Sequence, residues 1–304
     1  MSSIATVTAT INGVNHPLTY NSSTSKWEAT LTAPSGSSFN KSSGYYNVGL
    51  SATDDAGNVS TADATNAEIG ANLRLVVKEK VAPTINIVSP GASAFLTTNM
   101  PTITAQLSDA DSGVKISTLA FKLDGVSIAY NAAGMTCAAV TGGYNISYTP
   151  QMALSDGAHT VTVAVADNDS NTSSTASRSF TIDTVAPTLN VVSPAAGLVT
   201  NKTAGTVTGT TSDVTSSPVT LTIKVNGNNV GAVTIESNGS FSKAVTYAEG
   251  SNTVVVTATD SAGKTSSVTR TVMVDTVPPE FVSVTLTPNP VDAGQTYILS
   301  VSLS

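Results

Sequence analysis

Apolar residues fall at alternate positions in short runs separated by clusters of Gly, Asn, Asp and Ser, the pattern of strands with one buried face. Val7, Ala9 and Ile11 run into Asn12-Gly13; Leu119, Phe121 and Leu123 run into Asp124-Gly125; Leu221, Ile223 and Val225 run into Asn226-Gly227. Asn-Gly or Asp-Gly between alternating runs predicts a two-residue hairpin, because both central residues of a type I′ turn need φ > 0. A later strand repeats in the same way, with Val48, Leu50 and Ala52 matching Val161, Val163 and Val165, then Val254, Val256 and Ala258. Each ends in an acidic turn, ATDDAGN, VADNDSN or ATDSAGK. Between the two strands, Trp27 follows Asn12 at the distance at which Phe241 follows Asn226, and Tyr144 heads the comparable strand of the middle unit. An aromatic core plug is expected in all three.

The units are separated by a recurring joint: VVKEKVAPT ending at Thr84, TIDTVAPT ending at Thr188 and MVDTVPPE ending at Glu280. A Pro, which fixes φ and lacks an N–H, suits the first residues of a new edge strand. The joints lie about 100 and about 90 residues apart, the size of one seven-stranded sandwich. The spacing predicts domains over 1–80, 81–184 and 185–276, with a short segment over 277–304. The last strand of the first unit is expected to carry an insertion near Val59 to Ala71.

Aligned on Asn12-Gly13, the first unit begins at its third strand, so 1–80 is expected to hold strands C to G alone. Glu280 to Ser304 offers two strands, one with Val282, Val284 and Leu286 alternating, the other with Tyr297, Leu299, Val301 and Leu303. These correspond to strands A and B, and Ser304 aligns with Ser108. A half-sandwich leaves apolar faces and open edges that invite another chain. Three units in a row make a rod with ends roughly 100 Å apart, so pairing between molecules is favoured over self-closure. The expectation is a head-to-tail homopolymer whose interface uses Val282, Val284, Leu286, Tyr297, Leu299, Val301 and Leu303 against Val7, Ala9 and Ile11. The alternative is a segment cut from a longer array.

Composition narrows the partners. Charged residues make up 11% of the 304, against about 25% in typical soluble domains, so Ser, Thr, Asn and Gly must carry the surface. With 13 basic and 20 acidic residues, nucleic acid and anionic membranes are unfavourable partners. Cys137 is the single cysteine and makes no internal disulfide; it reads as a packing residue. No apolar run nears 18 residues, and no charged n-region with an apolar h-region opens the sequence, so neither a membrane span nor a signal peptide is expected.

Segments such as SNGSFSKAVTYAEGSNTVVVTATDSAGKTSS, capped by DTVAPT, resemble the bacterial Ig-like repeats of surface adhesins, of accessory domains in secreted carbohydrate enzymes and of phage tail proteins. The resemblance covers nearly the whole chain. It implies an all-β fold of tandem Ig-like sandwiches in a rod, and an extracellular place on a cell surface or virion. This scaffold serves many functions, so function must come from particular sites.

In an Ig-like topology the loops after strands B and F lie at the end where the preceding domain joins. That places Glu79, Asp109, Asp111, Asp167 and Asp169 around the first joint and Asp183, Asp213 and Asp260 around the second. Asp275 would meet Asp54 and Asp55 of a neighbouring copy if the ends exchange strands. Grouped hard oxygen ligands suit Ca²⁺, and calcium at such joints is also what the resemblance to adhesin repeats implies. The competing reading is that each Asp caps its own turn. His16 and His159 occupy unrelated places; His159 aligns with Tyr46 and Asn252 at the start of a strand and reads as a surface position. No nucleophile motif, phosphate loop or His/Cys metal spacing appears, and turn acids account for every carboxylate pair that a glycosidase would need. The function expected is thus a non-enzymatic structural protein forming extracellular fibres, on a bacterial surface or in a phage tail. The alternative is an adhesin or carbohydrate-binding module with a cell-surface or glycan ligand, for which an exposed aromatic platform is wanted and few of the 5% aromatics remain.

Overall fold

The computed structural model describes residues 3–304. Among them the regular structure is all β apart from two 3-10 turns, Ser38–Asn40 and Gly70–Leu73. The chain divides into two compact units, Met1–Ile182 and Asp183–Ser304.

The first unit opens with β1 (Ile4–Ile11), β2 (Val14–Asn21), β3 (Lys26–Glu28), β4 (Tyr46–Asp54), β5 (Val59–Ala62) and β6 (Arg74–Leu75), which make one sheet in the order β3-β2-β1-β4-β5 with β6 also on β4. Asn12 and Gly13 turn the first hairpin at φ 51° and 81°, as the type I′ reading requires. Opposite residues in a ladder share a face. Val7↔Ala52, Ala9↔Leu50 and Ile11↔Val48 therefore place six apolar side chains on one face, while Thr8↔Ser51 and Thr10↔Gly49 leave the other polar. Both β5 and β6 pair with β4, so the last strand is interrupted by Asp63–Leu73. The described residues of this stretch form this sheet alone, with no second layer.

The middle stretch is a complete sandwich. It contains β7 (Thr84–Ser89), β8 (Ala94–Leu96), β9 (Ile103–Ser108), β10 (Val114–Leu123), β11 (Val126–Ile128), β12 (Met135–Val140), β13 (Gly143–Tyr148), β14 (Gly157–Asp167) and β15 (Ala176–Ile182). One sheet runs β12-β13-β9-β7 and the other β11-β10-β14-β15-β8, with the initial strand split so that β8 pairs parallel to β15. Inward-facing Ile103, Leu107, Phe121, Ile146, Val161, Val163, Phe180 and Ile182 fill the space between the sheets. At roughly 1.5–3 kcal/mol for each large side chain buried, this core is what holds the layers together.

In the second unit, β16 (Thr188–Ser193), β17 (Leu198–Thr200), β18 (Ala204–Ser212), β19 (Thr220–Val225), β20 (Asn228–Asn229), β21 (Ser240–Thr246), β22 (Gly250–Thr259) and β23 (Thr265–Val274) repeat the arrangement as sheets β16-β18-β21 and β17-β23-β22-β19-β20. Val207, Ile223, Val254, Val256, Phe241, Val272 and Val274 form its core. Two glycines on β18 let aromatic rings lie against the strand: a Cβ on Gly209 would stand 2.7 Å from Phe241, and one on Gly205 would stand 2.4 Å from Tyr247. The unit closes with β24 (Phe281–Thr287) and β25 (Ile298–Leu303), which pair only with each other as a two-stranded ribbon.

The aromatic plug is realised unequally. Phe241 is buried in its core, Tyr144 packs at the rim of the middle core, and Trp27 is half-buried on β3 with its ring 5.7 Å from that of Tyr20. A plug needs a facing sheet, and the head sheet has none.

Candidate assembly interface and acidic clusters

The ribbon β24–β25 has two unlike faces. Phe281↔Leu303, Val284↔Val301 and Leu286↔Leu299 lie on one, with Val282 in the bulge between Phe281 and Ser283; Ser283↔Ser302 and Thr285↔Ser300 lie on the other. Tyr297 precedes β25. In pairing the ribbon matches the first two strands of each complete sandwich, except that its bulge falls between Phe281 and Ser283 where theirs fall two residues later, between Ile87 and Ser89 and between Val191 and Ser193. The Ser304 N–H donates to the Glu280 carbonyl at 3.0 Å, where Thr84 faces Ser108 and Thr188 faces Ser212. Leu299, Val301 and Leu303 thus correspond to Ile103, Ala105 and Leu107. The latter are 0, 2 and 1% exposed; the former are 58, 46 and 54% exposed. A two-stranded ribbon is at best marginally stable in water, and this one exposes a wholly apolar face, which makes it a candidate interaction surface.

The head sheet shows the complementary condition. Ala9 is buried, but Val7, Ile11, Val48, Leu50 and Ala52 are only half-buried, whereas Val161, Val163, Val165, Val254, Val256 and Ala258, at the equivalent places, are fully enclosed. Among the described residues, no strand pairs with the outer side of its edge strand β3.

The acidic turns converge as trios. Single carboxylate oxygens of Glu79, Asp109 and Asp167 lie within 4.8 Å of one another, and so do those of Asp183, Asp213 and Asp260. The sequence expected wider groups. Asp111 instead accepts from the Ser37 N–H at 2.7 Å and from Asn40 at 2.9 Å, and Asp169 accepts from the Glu79 N–H at 2.9 Å; both hold backbone and side chains at the joint. Asp54 accepts from the N–H groups of Ala56 and Asn58, Asp55 from the Ser3 hydroxyl, and Asp275 from the Val277 N–H at 3.1 Å.

Turn capping therefore explains one oxygen of each turn Asp, and the fourth residue onward decides the other. Asn58 and Asn171 donate side-chain N–H groups to the second oxygens of Asp54 and Asp167 at 2.9 and 2.7 Å. At the third turn that place holds Lys264, which donates only its backbone N–H, to Asp260 Oδ1 at 2.8 Å. Asp260 Oδ2 is left buried with no hydrogen-bond partner, beside Asp183, which also accepts from the Ser216 hydroxyl. Unpaired buried carboxylate oxygens are costly, and three converging hard donors with one orphaned oxygen fit a divalent cation of the calcium type.

His159, expected at the surface, is 7% exposed. Nδ1 lies 2.7 Å from Asp124 Oδ2 and Nε2 2.8 Å from the Ser155 carbonyl, with Phe180 stacked at 5.6 Å. Both partners accept, so this geometry is completed by a proton on each ring nitrogen and favours the imidazolium. Burial pulls its pKa down, but the Asp124 hydrogen bond, the Ser155 carbonyl and the Asp124 charge outweigh it, and the pKa stands above the usual 6.5. Tyr46 and Asn252, at the equivalent places, are also buried and bonded to backbone: Tyr46 to the Gly36 carbonyl, Asn252 to those of Ala248 and Gly250. Alternation missed this position because a polar residue that closes a loop against the core has the same sequence signature as one facing water.

Residues 83–163 match the family model described as a bacterial Ig domain, and residues 187–276 match that of glucodextranase domain B. No curated protein matches the chain. Among solved structures, fibronectin(III)-like modules of Clostridium thermocellum CbhA are 16% identical over 63% of this chain and 94% of theirs, with a TM-score of 0.39. A 1.5-MDa bacterial ice-binding adhesin is 20% identical over 90% of this chain and 88% of its own, with a TM-score of 0.30. The chain is built of tandem Ig-like repeats.

Proposed function

We propose that this chain is a non-enzymatic structural protein that assembles head to tail into an extracellular fibre, such as a bacterial surface filament or a phage tail component. The ribbon β24–β25 of one copy completes the head sheet of the next by strand complementation. The observation that carries this reading is the ribbon's face of Phe281, Val284, Leu286, Leu299, Val301 and Leu303, exposed although Leu299, Val301 and Leu303 correspond to Ile103, Ala105 and Leu107 in the middle core and Leu299 to Val207 in the next. Burying that face supplies on the order of 10 kcal/mol before association entropy is charged. A heterologous contact of this kind propagates into a filament wherever its rotation does not close a ring. Removing Phe281–Ser304 is expected to leave monomers by size-exclusion chromatography and negative-stain microscopy. Long fibres from the truncated chain would refute the reading.

The acidic trio Asp183–Asp213–Asp260 supports a further part of the same proposal, a Ca²⁺ ion that stiffens the start of the second unit. All three carboxylates and the Ser216 hydroxyl would hold it, and its charge would satisfy Asp260 Oδ2. A second functional reading, a module that binds a glycan, draws on the match of residues 187–276 to a domain of a carbohydrate-acting enzyme; selective retention of the full chain on a glycan array would favour it.

A further inference from the structure

We infer that the donated ribbon is received edge to edge by β3, with β25 of one copy pairing with residues 27–31 of the next in a single register: Trp27 opposite Leu303, Ala29 opposite Val301 and Leu31 opposite Leu299. This rests on the strand-complementation reading and specifies its receiving edge.

β3 is the edge of the head sheet and pairs with β2 through Tyr20↔Trp27. Its ladder ends at Glu28, although Trp27, Ala29 and Leu31 keep strand alternation. The strands at this place in the complete sandwiches are longer, and each is paired along one side with the strand that β25 matches: β13 with β9, and β21 with β18. Residues 29–31 thus have strand pattern but no ladder, and β25 has an open edge of the right kind. Joined, they give the order β24-β25-β3-β2, which repeats the observed β7-β9-β13-β12 as far as residues 19–21 of β2, the part that pairs with β3; residues 14–18 of β2 pair with β1 instead.

Two registers are available, because the two sandwiches differ by two residues. In the middle one Tyr144 faces Leu107 and Ile146 faces Ala105; in the second unit Phe241 faces Gly209 and Val245 faces Gly205. The second register depends on glycines that leave room for rings. The ribbon has Leu299, Val301 and Leu303 and no glycine there, so a ring cannot lie flat on it. The middle register instead keeps the aromatic at the rim opposite a leucine, Tyr144 against Leu107, and Trp27 against Leu303 reproduces that pair. It also uses all of β25 without calling on Tyr297, which lies outside the strand.

The test mixes single-cysteine full-length chains in a Cys137→Ser background, so that every disulfide joins two copies. Directly opposed Cα atoms lie within disulfide range, and positions displaced by two residues fall beyond it. On oxidation, Ala29→Cys mixed with Val301→Cys should cross-link at least about tenfold faster than Ala29→Cys mixed with Leu299→Cys. Sedimentation of each unoxidised mixture reports assembly separately. Assembly with the reverse preference, or with no cross-link from either mixture, overturns the register and leaves strand complementation standing. If the unsubstituted chain itself fails to assemble, both fall.

Discussion

Leu299→Asn tests the interface at its centre. Leu299 is 58% exposed in the ribbon, while Ile103 and Val207, at the same place in the complete sandwiches, are each 0% exposed. Docking therefore buries the remaining 58% of a leucine side chain, worth roughly 1–2 kcal/mol. Asn loses that gain and adds an amide with no partner among Leu31 and the head-sheet apolar face, a further cost of about 1–3 kcal/mol. The sum, about 2 to 5 kcal/mol, corresponds to a loss of roughly thirtyfold to a few thousandfold in the association constant, read by analytical ultracentrifugation over a concentration series. Thermal melting of the unassembled chain should be nearly unchanged, since substitutions at exposed positions usually stay within about 0.5 kcal/mol. Ser302→Gln is the control on the opposite face, where Gln106 stands exposed at the equivalent place, and it should assemble normally. A Leu299→Asn chain that assembles at the same concentration as the parent would refute the reasoning.

Two other perturbations report on the buried polar groups. The raised pKa of His159 means that its contribution to stability is fully present below the unfolded value near 6.5 and is lost as pH rises through the higher folded value. The middle sandwich should therefore melt higher at pH 5.5 than at pH 8.5 by more in the parent than in His159→Asn, which calorimetry of both chains would show; equal pH dependence would contradict the imidazolium assignment. Asp260→Asn should stabilise the second unit in EDTA by about 1 to 3 kcal/mol, by removing one of three converging charges, and should abolish the rise in Tm that Ca²⁺ gives the parent. A parent Tm indifferent to both EDTA and Ca²⁺ would remove the cation from the proposal.

Alternation and turn chemistry made much of the fold legible, because both are local. Asn12-Gly13, Asp124-Gly125 and Asn226-Gly227 all adopt the positive φ pair that the dipeptides announce. The joint motif and the acidic turns were enough to gather Glu79 with Asp109 and Asp167, and Asp183 with Asp213 and Asp260. What failed depended on partners distant in sequence. Trp27 has the spacing of a plug, but spacing does not supply the opposing sheet. His159 has the alternation of a surface residue, but the loop ending at Ser155 folds over it. Asp111 and Asp169 have the composition of ligands, yet backbone N–H groups at the joint claim them first.

If the chain assembles as proposed, the same periodicity couples assembly to folding. In the two complete sandwiches, strands distant in sequence but within one repeat close the core, so each is stable without reference to concentration. The head sheet and the ribbon each carry one apolar face, and the material that would cover either face is of the kind the other presents. Under the strand-complementation proposal, a face covered by a second copy gains stability by mass action, so the head sheet should become firmer as subunits are added, and residues 29–31 should become strand when β25 arrives. The ribbon suits this arrangement: with Ser and Thr on the outward faces of β24 and β25, it brings little charge of its own to β3, whose outward face carries Lys26 and Glu28 and so retains part of the protection by which edge strands keep other chains away.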